Sequence, residues 1–205
     1  MSYSAPLKDM MFVLNELAGL LEVSQLPGYE DATPETVEAI LDEAAKFASG
    51  VVAPLNRSGD MEGAQWHDKQ VTMPAGFKEA YVQFAEAGWN AIECRPEFGG
   101  QGLPHLVGAA VKEMWKSANH AFSLCPLLTG GAIEALELTG SHEQKAMYLP
   151  KMIAGEWTGT MNLTEPQAGS DLAAVRSRAE PQGDGTYKIF GQKIFITYGE
   201  HDMAD

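Results

Sequence analysis

Cysteine is scarce in this sequence: Cys94 and Cys125 are the only two, far apart and without a CxxC companion. Such a pair gives no support to a disulfide framework or to a thiolate zinc site. Free cysteine is usually reduced and buried, and we expect both thiols to be of this kind. The five histidines lack HExxH or paired-ligand spacing, so no metal site is predicted.

Basic residues are also few, with 14 Lys and Arg against 28 Asp and Glu and a formal net charge of −14. Nucleic acid and anionic lipid both require a basic surface, so neither is expected as a partner. No apolar run approaches the length that crosses a bilayer, and the N-terminus lacks the pattern of a signal peptide. We therefore expect a cytoplasmic protein, whose hydrophobic content of 45% is enough for a globular core.

Helical periodicity fills the first three quarters of the chain. Apolar residues at helical spacing predict a helix over Lys8–Val23, with a wide buried stripe that includes Leu17 and Leu21. Further helices are predicted over Pro74–Trp89, Leu103–Ala118 and Leu127–Leu138.

Two helix starts are marked by capping residues. Thr33 precedes Pro34, and a threonine N-cap followed by proline is a typical start signal. Ser141 with Gln144 resembles a capping box that opens a helix to about Ile153. Both signals are local, so we expect these two helices to begin where the caps stand.

Gly155 marks a change to two-residue alternation. Strands are predicted over Trp157–Leu163, Ala173–Glu180 and Tyr187–Thr197, with a turn at Gly183–Gly185 between the last two. The pattern predicts an α+β chain, with a helical domain over residues 1–155, including an extension over 1–30, and part of a β domain over 156–205. Three strands with an unpaired edge make a poor sheet, so we expect the β domain to be truncated.

The segment Met161–Asp171, MNLTEPQAGSD, combines a turn with side chains that form hydrogen bonds. Gly169 permits a conformation closed to other residues or the close approach of a ligand, while Thr164 and Ser170 supply hydroxyl groups. This chemistry suits the polar edge of a flat cofactor or a pyrophosphate. The alternative is an ordinary β-turn in which Ser170 and Asp171 satisfy the local backbone.

A second segment, Gly191–Thr197 (GQKIFIT), alternates like a strand and ends in a hydroxyl side chain. Together with MNLTEPQAGSD it could hold a planar ligand between two walls. Thr197 has a plain alternative, because threonine is common in strands.

In order and separation, the motifs resemble those of the acyl-CoA dehydrogenases, flavoenzymes with an N-terminal helical domain, a middle β domain and a C-terminal helical domain. The resemblance covers essentially the whole chain and rests on PEFGGQG at 96–102, YLPKMIAGE at 148–156, TEPQAGSD and GQKIFIT. Ala5–Leu17 further resembles the N-terminal extension of the long bacterial subgroup that includes methylmercaptopropionyl-CoA dehydrogenase-like enzymes. The resemblance implies that the C-terminal helical domain is absent from this chain.

The resemblance also implies FAD as the cofactor and assigns roles to residues at the matching positions. The flavin would be contacted by Met161, Leu163 and Thr164, its phosphate region by Gly169 and Ser170, and its second wall would be Phe195, Ile196 and Thr197. Ser170 would also touch the CoA arm of the substrate. Phe195 stands where many relatives have tryptophan, and Tyr198 where asparagine is frequent.

The implied reaction is α,β-dehydrogenation of an acyl-CoA thioester to the 2-enoyl-CoA. A carboxylate removes the α-proton while the β-hydrogen leaves as hydride to the flavin. In the family this carboxylate comes from the C-terminal domain, so no catalytic base is named, and Glu165 is interpreted as structural. CoA phosphates could meet Arg176, Arg178 or Lys193.

An electron-transfer flavoprotein is the expected electron acceptor, and a homo-oligomer the expected assembly, both from the resemblance. The 205-residue chain alone is expected to be inactive. Two alternatives stay open: an acyl-CoA oxidase, and a noncatalytic fragment that binds flavin weakly or associates with other subunits.

Overall fold

The computed structural model of the protein describes residues 3–204, which form two compact units. Residues 3–159 with 200–204 form a helical unit, and Thr160–Gly199 form a smaller unit with one β-hairpin. The predicted class, a helical domain followed by the start of a sheet domain, is confirmed.

The helices run in chain order as α1 (Leu7–Phe12), α2 (Leu20–Val23), α3 (Pro34–Phe47), α4 (Pro54–Glu62), α5 (Phe77–Glu86), α6 (His105–Ala118), α7 (His120–Thr139) and α8 (His142–Ile153). Two π-helical segments, Val13–Leu17 and Ala48–Val52, continue α1 and α3. Short 3-10 turns occur at Trp89–Ala91, Pro96–Phe98 and Leu172–Ala174. The strands are β1 (Gln65–His67), β2 (Gln70–Thr72), β3 (Arg178–Pro181) and β4 (Tyr187–Phe190).

Both capping predictions are confirmed. The Thr33 hydroxyl accepts a hydrogen bond from the backbone N–H of Thr36 at 3.3 Å, and α3 begins at Pro34. The Gln144 N–H donates to the Ser141 hydroxyl at 3.2 Å, while the Ser141 N–H donates to Oε1 of Gln144 at 2.8 Å. These reciprocal bonds satisfy two free amides at the start of α8.

The core of the helical unit is aromatic. Phe84 lies edge-on to Trp115 and Phe122, with ring centroids 5.8 and 6.0 Å apart. Phe47 lies edge-on to Trp115 at 5.4 Å. Edge-to-face contact is a favoured arrangement of aromatic rings. Since these four rings belong to α3, α5, α6 and α7, the cluster fastens four helices together.

The prediction of one helix over Lys8–Val23 is wrong in its middle. Gly19 has a φ of +70°, a left-handed conformation that an α-helix cannot continue, and it separates α2 from the preceding helical segment. Leu20 is fully buried, whereas Leu17 and Leu21 are 72% and 55% exposed. The buried stripe is therefore narrower than the periodicity indicated.

Helix α7 begins at His120, well before the predicted start at Leu127. The Asn119 side chain caps it, because its oxygen accepts from the Phe122 N–H at 3.1 Å. Its 20 residues, with a hydropathy of 1.3, are long and apolar enough to cross a membrane by length and composition, which corrects the expectation from the sequence. Core helices of soluble proteins and signal sequences pass the same test, and 28% of the tested window of α7 is buried, including Phe122, Cys125 and Ile133.

The sequence patterns do not predict two elements of the helical unit. Helix α4 follows Ala53 with Pro54 at its first position. The β1–β2 hairpin turns through Asp68 and Lys69, whose φ values of +50° and +69° match the left-handed turn that short hairpins use. The usual Asn-Gly or Asp-Gly signal of such a turn does not occur there.

The hairpin of the smaller unit confirms the predicted turn. Strands β3 and β4 are antiparallel, with Arg178 opposite Phe190 and Pro181 opposite Tyr187. Gly183 and Gly185 both have positive φ, as the turn requires. The two predicted strands are shorter than expected, however, and residues 157–163 form no strand.

Both cysteines are free, and Cys125 is buried as expected, whereas Cys94 is only half-buried. Burial raises the pKa of the Cys125 thiol to about 12. Burial, together with the nearby carboxylates of Glu137 and Glu93, raises the pKa of the Cys94 thiol to about 11. Both side chains therefore stay protonated at neutral pH, and a protonated thiol is a poor nucleophile.

Candidate cofactor site

The two segments that the sequence singled out lie side by side and run in opposite directions within the smaller unit. The Thr160 hydroxyl donates to the carbonyl oxygen of Thr197 at 2.6 Å. Farther along, the backbone N–H of Ile194 donates to the carbonyl oxygen of Thr164 at 3.0 Å. The structure thus brings Thr164 and Thr197 onto two adjoining segments, as the two-wall interpretation requires.

The prediction that Gly191–Thr197 is a strand is wrong. Strand β4 ends at Phe190, and the chain beyond it leaves the extended conformation at Phe195 and Tyr198, whose φ values are +57° and +52°. Such values are uncommon for bulky residues and cost on the order of 1–3 kcal/mol each. Strained backbone of this kind clusters at functional sites, so its presence supports a functional role for this segment.

Several apolar side chains of the two segments face solvent. Phe195 is 83% exposed, Met161 62% and Leu163 39%. Thr164 and Ile196 are half-buried, and Thr197 is exposed. Exposed apolar side chains next to hydroxyl groups and backbone amides suit a flat ligand that has an apolar face and polar edges.

A tight turn separates Thr164 from Gly169. Glu165 and Ala168 exchange two backbone hydrogen bonds, at 2.9 and 3.0 Å. Gly169 does not have a positive φ, and no described residue lies within 4 Å of the place a Cβ would take. Of the two roles expected for this glycine, the left-handed conformation is wrong, and room for a ligand remains.

Ser170 and Asp171 behave differently. Asp171 accepts from the Ala173 N–H at 3.1 Å and caps the Leu172–Ala174 turn, as the ordinary-turn alternative proposed. Ser170 is exposed at the open end of the turn. Its hydroxyl is therefore accessible to a ligand, whereas the Asp171 carboxylate already serves the backbone.

Glu165 is the one buried charged residue of this region, with 4% exposure. Its carboxylate accepts from the Lys193 ammonium at 2.8 Å, from the Gln167 side-chain amide at 2.6 Å and from the backbone N–H groups of Arg176 and Ser177 at 2.8 and 3.0 Å. The Lys193 ammonium foremost, then the hydrogen-bond donors of Ser177 and Arg176, hold the pKa of Glu165 well below its usual range. A carboxylate so stabilised is a weak base, which agrees with its interpretation as structural.

The three cations considered for CoA phosphates are not equivalent. Lys193 forms an ion pair with Glu165. Arg178 forms an ion pair with Glu180 at 2.8 Å, and its guanidinium lies over the Phe190 ring, 4.6 Å from the ring centroid. Arg176 has an exposed side chain and contributes its backbone N–H to Glu165. Arg176 is therefore the best placed of the three to meet a phosphate.

The sequence patterns missed the Lys193–Glu165 pair, since its partners are separated by 28 residues. The only available signal was that one motif carries two acidic residues, Glu165 and Asp171, and the other a single basic residue, Lys193. Opposite charges in two segments expected to touch could have suggested the pair, but not its four-donor geometry.

Comparison with known proteins gives a consistent picture. The family model described as acyl-CoA dehydrogenase, N-terminal domain, matches residues 34–156. A curated relative, the 3-methylmercaptopropionyl-CoA dehydrogenase of Ruegeria pomeroyi, is 51% identical over all of this chain, which spans 35% of that protein. The chain thus covers about a third of the length of the curated relatives it matches.

Solved structures also match. An acyl-CoA dehydrogenase complexed with FAD from Bacillus anthracis has a TM-score of 0.65 and 25% identity, and the match covers 85% of this chain and 28% of that one. A chain from the structure of the electron transferring flavoprotein of Acidaminococcus fermentans has a TM-score of 0.65 and 28% identity. That match covers 78% of this chain and 39% of the other.

Proposed function

We propose, since the chain belongs to the acyl-CoA dehydrogenase family, that it is the N-terminal and partial middle-domain portion of an FAD-dependent acyl-CoA dehydrogenase. The observation that carries this proposal is the antiparallel contact of the two motif segments, joined between Thr160 and Thr197 and between Thr164 and Ile194. It presents exposed apolar side chains beside hydroxyl groups, which supports a flavin site at this place.

The residues present fit FAD. Met161, Leu163 and Phe195 would supply apolar contact to the ring system, and the Thr164 and Thr197 groups would bond its polar edge. Gly169, with open space where a Cβ would stand, and the exposed Ser170 would meet the phosphates. Bound FAD would supply the electron acceptor for the hydride that leaves the β-carbon of the substrate.

The roles of this chain are therefore to bind and orient rather than to transfer the proton. Glu165 is unsuited to remove the α-proton, because four donors surround it and its pKa is depressed. The base would come from the C-terminal helical domain of the longer protein. Accordingly, the 205-residue chain would not turn over acyl-CoA by itself.

The proposed substrate is an acyl-CoA thioester. The thioester named in its 51% identical relative, 3-methylmercaptopropionyl-CoA, is the first to test. An electron-transfer flavoprotein is the proposed acceptor, with a homo-oligomer in the cytoplasm as the proposed setting. An acyl-CoA oxidase would bind flavin through the same segments and would differ in using oxygen instead.

The test compares the full-length protein with the 205-residue chain. Each is titrated with FAD, and the loaded protein then receives 3-methylmercaptopropionyl-CoA without oxygen. We expect the full-length protein to bind FAD and its flavin absorbance to bleach, whereas the short chain does not bleach. Failure of the full-length protein to bind FAD would overturn the proposal, and bleaching by the short chain would overturn the assignment of the base elsewhere.

A further inference from the structure

Glu165 stands where three stretches of the smaller unit meet. It begins the tight turn 165–168, it accepts from the stretch that leads into β3, and it accepts from the segment that follows β4. Its 4% exposure removes it from water almost completely. A buried carboxylate persists only when donors replace the lost water, and here they do so from all three stretches.

Each carboxylate oxygen has two donors. Oε1 accepts from Lys193 Nζ at 2.8 Å and from the Ser177 N–H at 3.0 Å. Oε2 accepts from Gln167 Nε2 at 2.6 Å and from the Arg176 N–H at 2.8 Å. Because a carboxylate is the only side chain that can accept on both oxygens, no neutral residue of the same shape can replace it.

Lys193 completes the link between the two motif segments. Its ammonium donates both to the Glu165 carboxylate and to the carbonyl oxygen of Leu163, the latter at 2.9 Å. The next residue, Ile194, donates its N–H to the carbonyl oxygen of Thr164. Lys193 and Ile194 together therefore hold one segment against Leu163, Thr164 and Glu165 of the other.

We propose that Glu165 and Lys193 are positioning residues of the cofactor site, which together set the spacing between the Leu163–Thr164 wall and the Phe195–Thr197 wall. This inference rests on the proposed function. Neither residue touches the cofactor in this account; both act through the backbone groups that they hold. The pair connects the segments by charge and hydrogen bonds in a unit that offers little apolar packing.

The inference makes the isosteric variant Glu165→Gln informative. It keeps the shape of the side chain but turns one oxygen into an N–H₂ group, which then faces N–H donors. Lys193→Met removes the charge and the donors while keeping the apolar stem. Matched controls are Glu180→Gln and Lys188→Met, which make the same changes at exposed positions of β3 and β4.

The experiment uses the full-length protein and measures the FAD dissociation constant, then the visible spectrum and reduction potential of the bound flavin at saturating FAD. We expect Glu165→Gln and Lys193→Met each to weaken FAD binding by about tenfold or more, because the first places an N–H₂ group against N–H donors and the second leaves the buried Glu165 carboxylate without its cation. The double variant should lose less than the product of the two single losses. The potential and spectrum should shift in the variants and stay unchanged in both controls.

A milder variant guards against unfolding. Gln167→Ala removes one donor to Oε2 and should weaken FAD binding by about threefold, in the same direction. If Glu165→Gln does not fold, Lys193→Met and Gln167→Ala decide by the same readouts. Wild-type dissociation constants, spectra and potentials in the folded variants would overturn this inference, whereas failure of the wild-type protein itself to bind FAD would overturn the proposed function instead.

Discussion

The helical unit is held together by a cluster of aromatic rings from four helices, whereas the smaller unit, Thr160–Gly199, buries only Glu165 and Ala168. Both faces of its β3–β4 hairpin are exposed, and an isolated two-stranded hairpin is marginal in water. Hydrogen bonds to one carboxylate therefore replace apolar packing in the smaller unit. Its exposed apolar side chains are left for contact with a ligand or with further protein.

The largest expected effect compares one phenylalanine from each unit. Phe84→Ala removes a ring that is 1% exposed and contacts Phe47, Trp115 and Phe122, so it should lower the free energy of unfolding by about 3–5 kcal/mol. Phe195→Ala removes a ring that is 83% exposed and should change the same quantity by less than about 0.5 kcal/mol. Denaturant titration of the 205-residue chain measures both.

In a flavin titration of the full-length protein, the order of the two effects should reverse, with the larger effect in Phe195→Ala. Phe195→Ala should weaken FAD binding by about tenfold, because it removes the aromatic contact on one wall. If Phe195→Ala left the FAD dissociation constant unchanged, or greatly lowered the free energy of unfolding, the contrast between the two units would be contradicted.

Local signals explain why much of the helical unit could be predicted from the sequence. Thr33 and Ser141 cap helices through residues three positions away, so their patterns survive in any tertiary setting. The break at Gly19 could not be predicted. The spacing of apolar residues alone does not show which leucines are buried against other residues and which face solvent. The early start of α7 at His120 depends on the Asn119 cap, which apolar periodicity does not indicate.

Hydrogen exchange should separate the units next. Backbone amides of Thr160–Gly199 should exchange at least about a hundredfold faster than those of α6 and α7 in the 205-residue chain, since a unit without a buried core opens at low free energy. Exchange measured by mass spectrometry on peptides from both units checks this. Equal protection of the two units would show that polar contacts stabilise the smaller one as well as rings stabilise the larger.

Acid should act on the smaller unit through Glu165. Its folded pKa lies below the ordinary value of 4.5, so its contribution to stability is present above that pH and is lost as pH falls below it. Glu165→Gln lacks this contribution at every pH. The difference in opening free energy between the wild-type chain and the variant, followed by NMR of amides in Thr160–Gly199, should be largest at neutral pH and shrink below pH 4.5. A difference that does not change with pH would contradict the role assigned to the charge.

The smallest expected effect is a capping loss in the helical unit. Ser141→Ala removes the side-chain half of the capping box of α8 and should lower the free energy of unfolding by about 1 kcal/mol. Because Ser141 lies outside the smaller unit, FAD affinity of the full-length protein should not change. Thermal unfolding measures the stability, and a flavin titration measures the FAD affinity. A loss of FAD affinity would contradict the claim that stability and FAD binding depend on different units.

The candidate site could be predicted only in outline. The motifs identified Thr164, Gly169 and Thr197 as parts of two segments, and the structure places these segments together. The bonds of Glu165 to Arg176, Ser177 and Lys193 could not be predicted, because these partners lie 11 to 28 residues away along the chain. Alternating residues favoured a strand at Gly191–Thr197, but positive φ values at Phe195 and Tyr198 prevent one.

The central claim is that Met161–Ser170 and Phe195–Thr197 form the two walls of one FAD site. Hydrogen exchange of the full-length protein with and without FAD tests it most directly. The account predicts that FAD slows exchange in both segments and leaves the turn at Gly183–Gly185 unaffected. FAD binding without protection of either segment, or protection of only one, would contradict it.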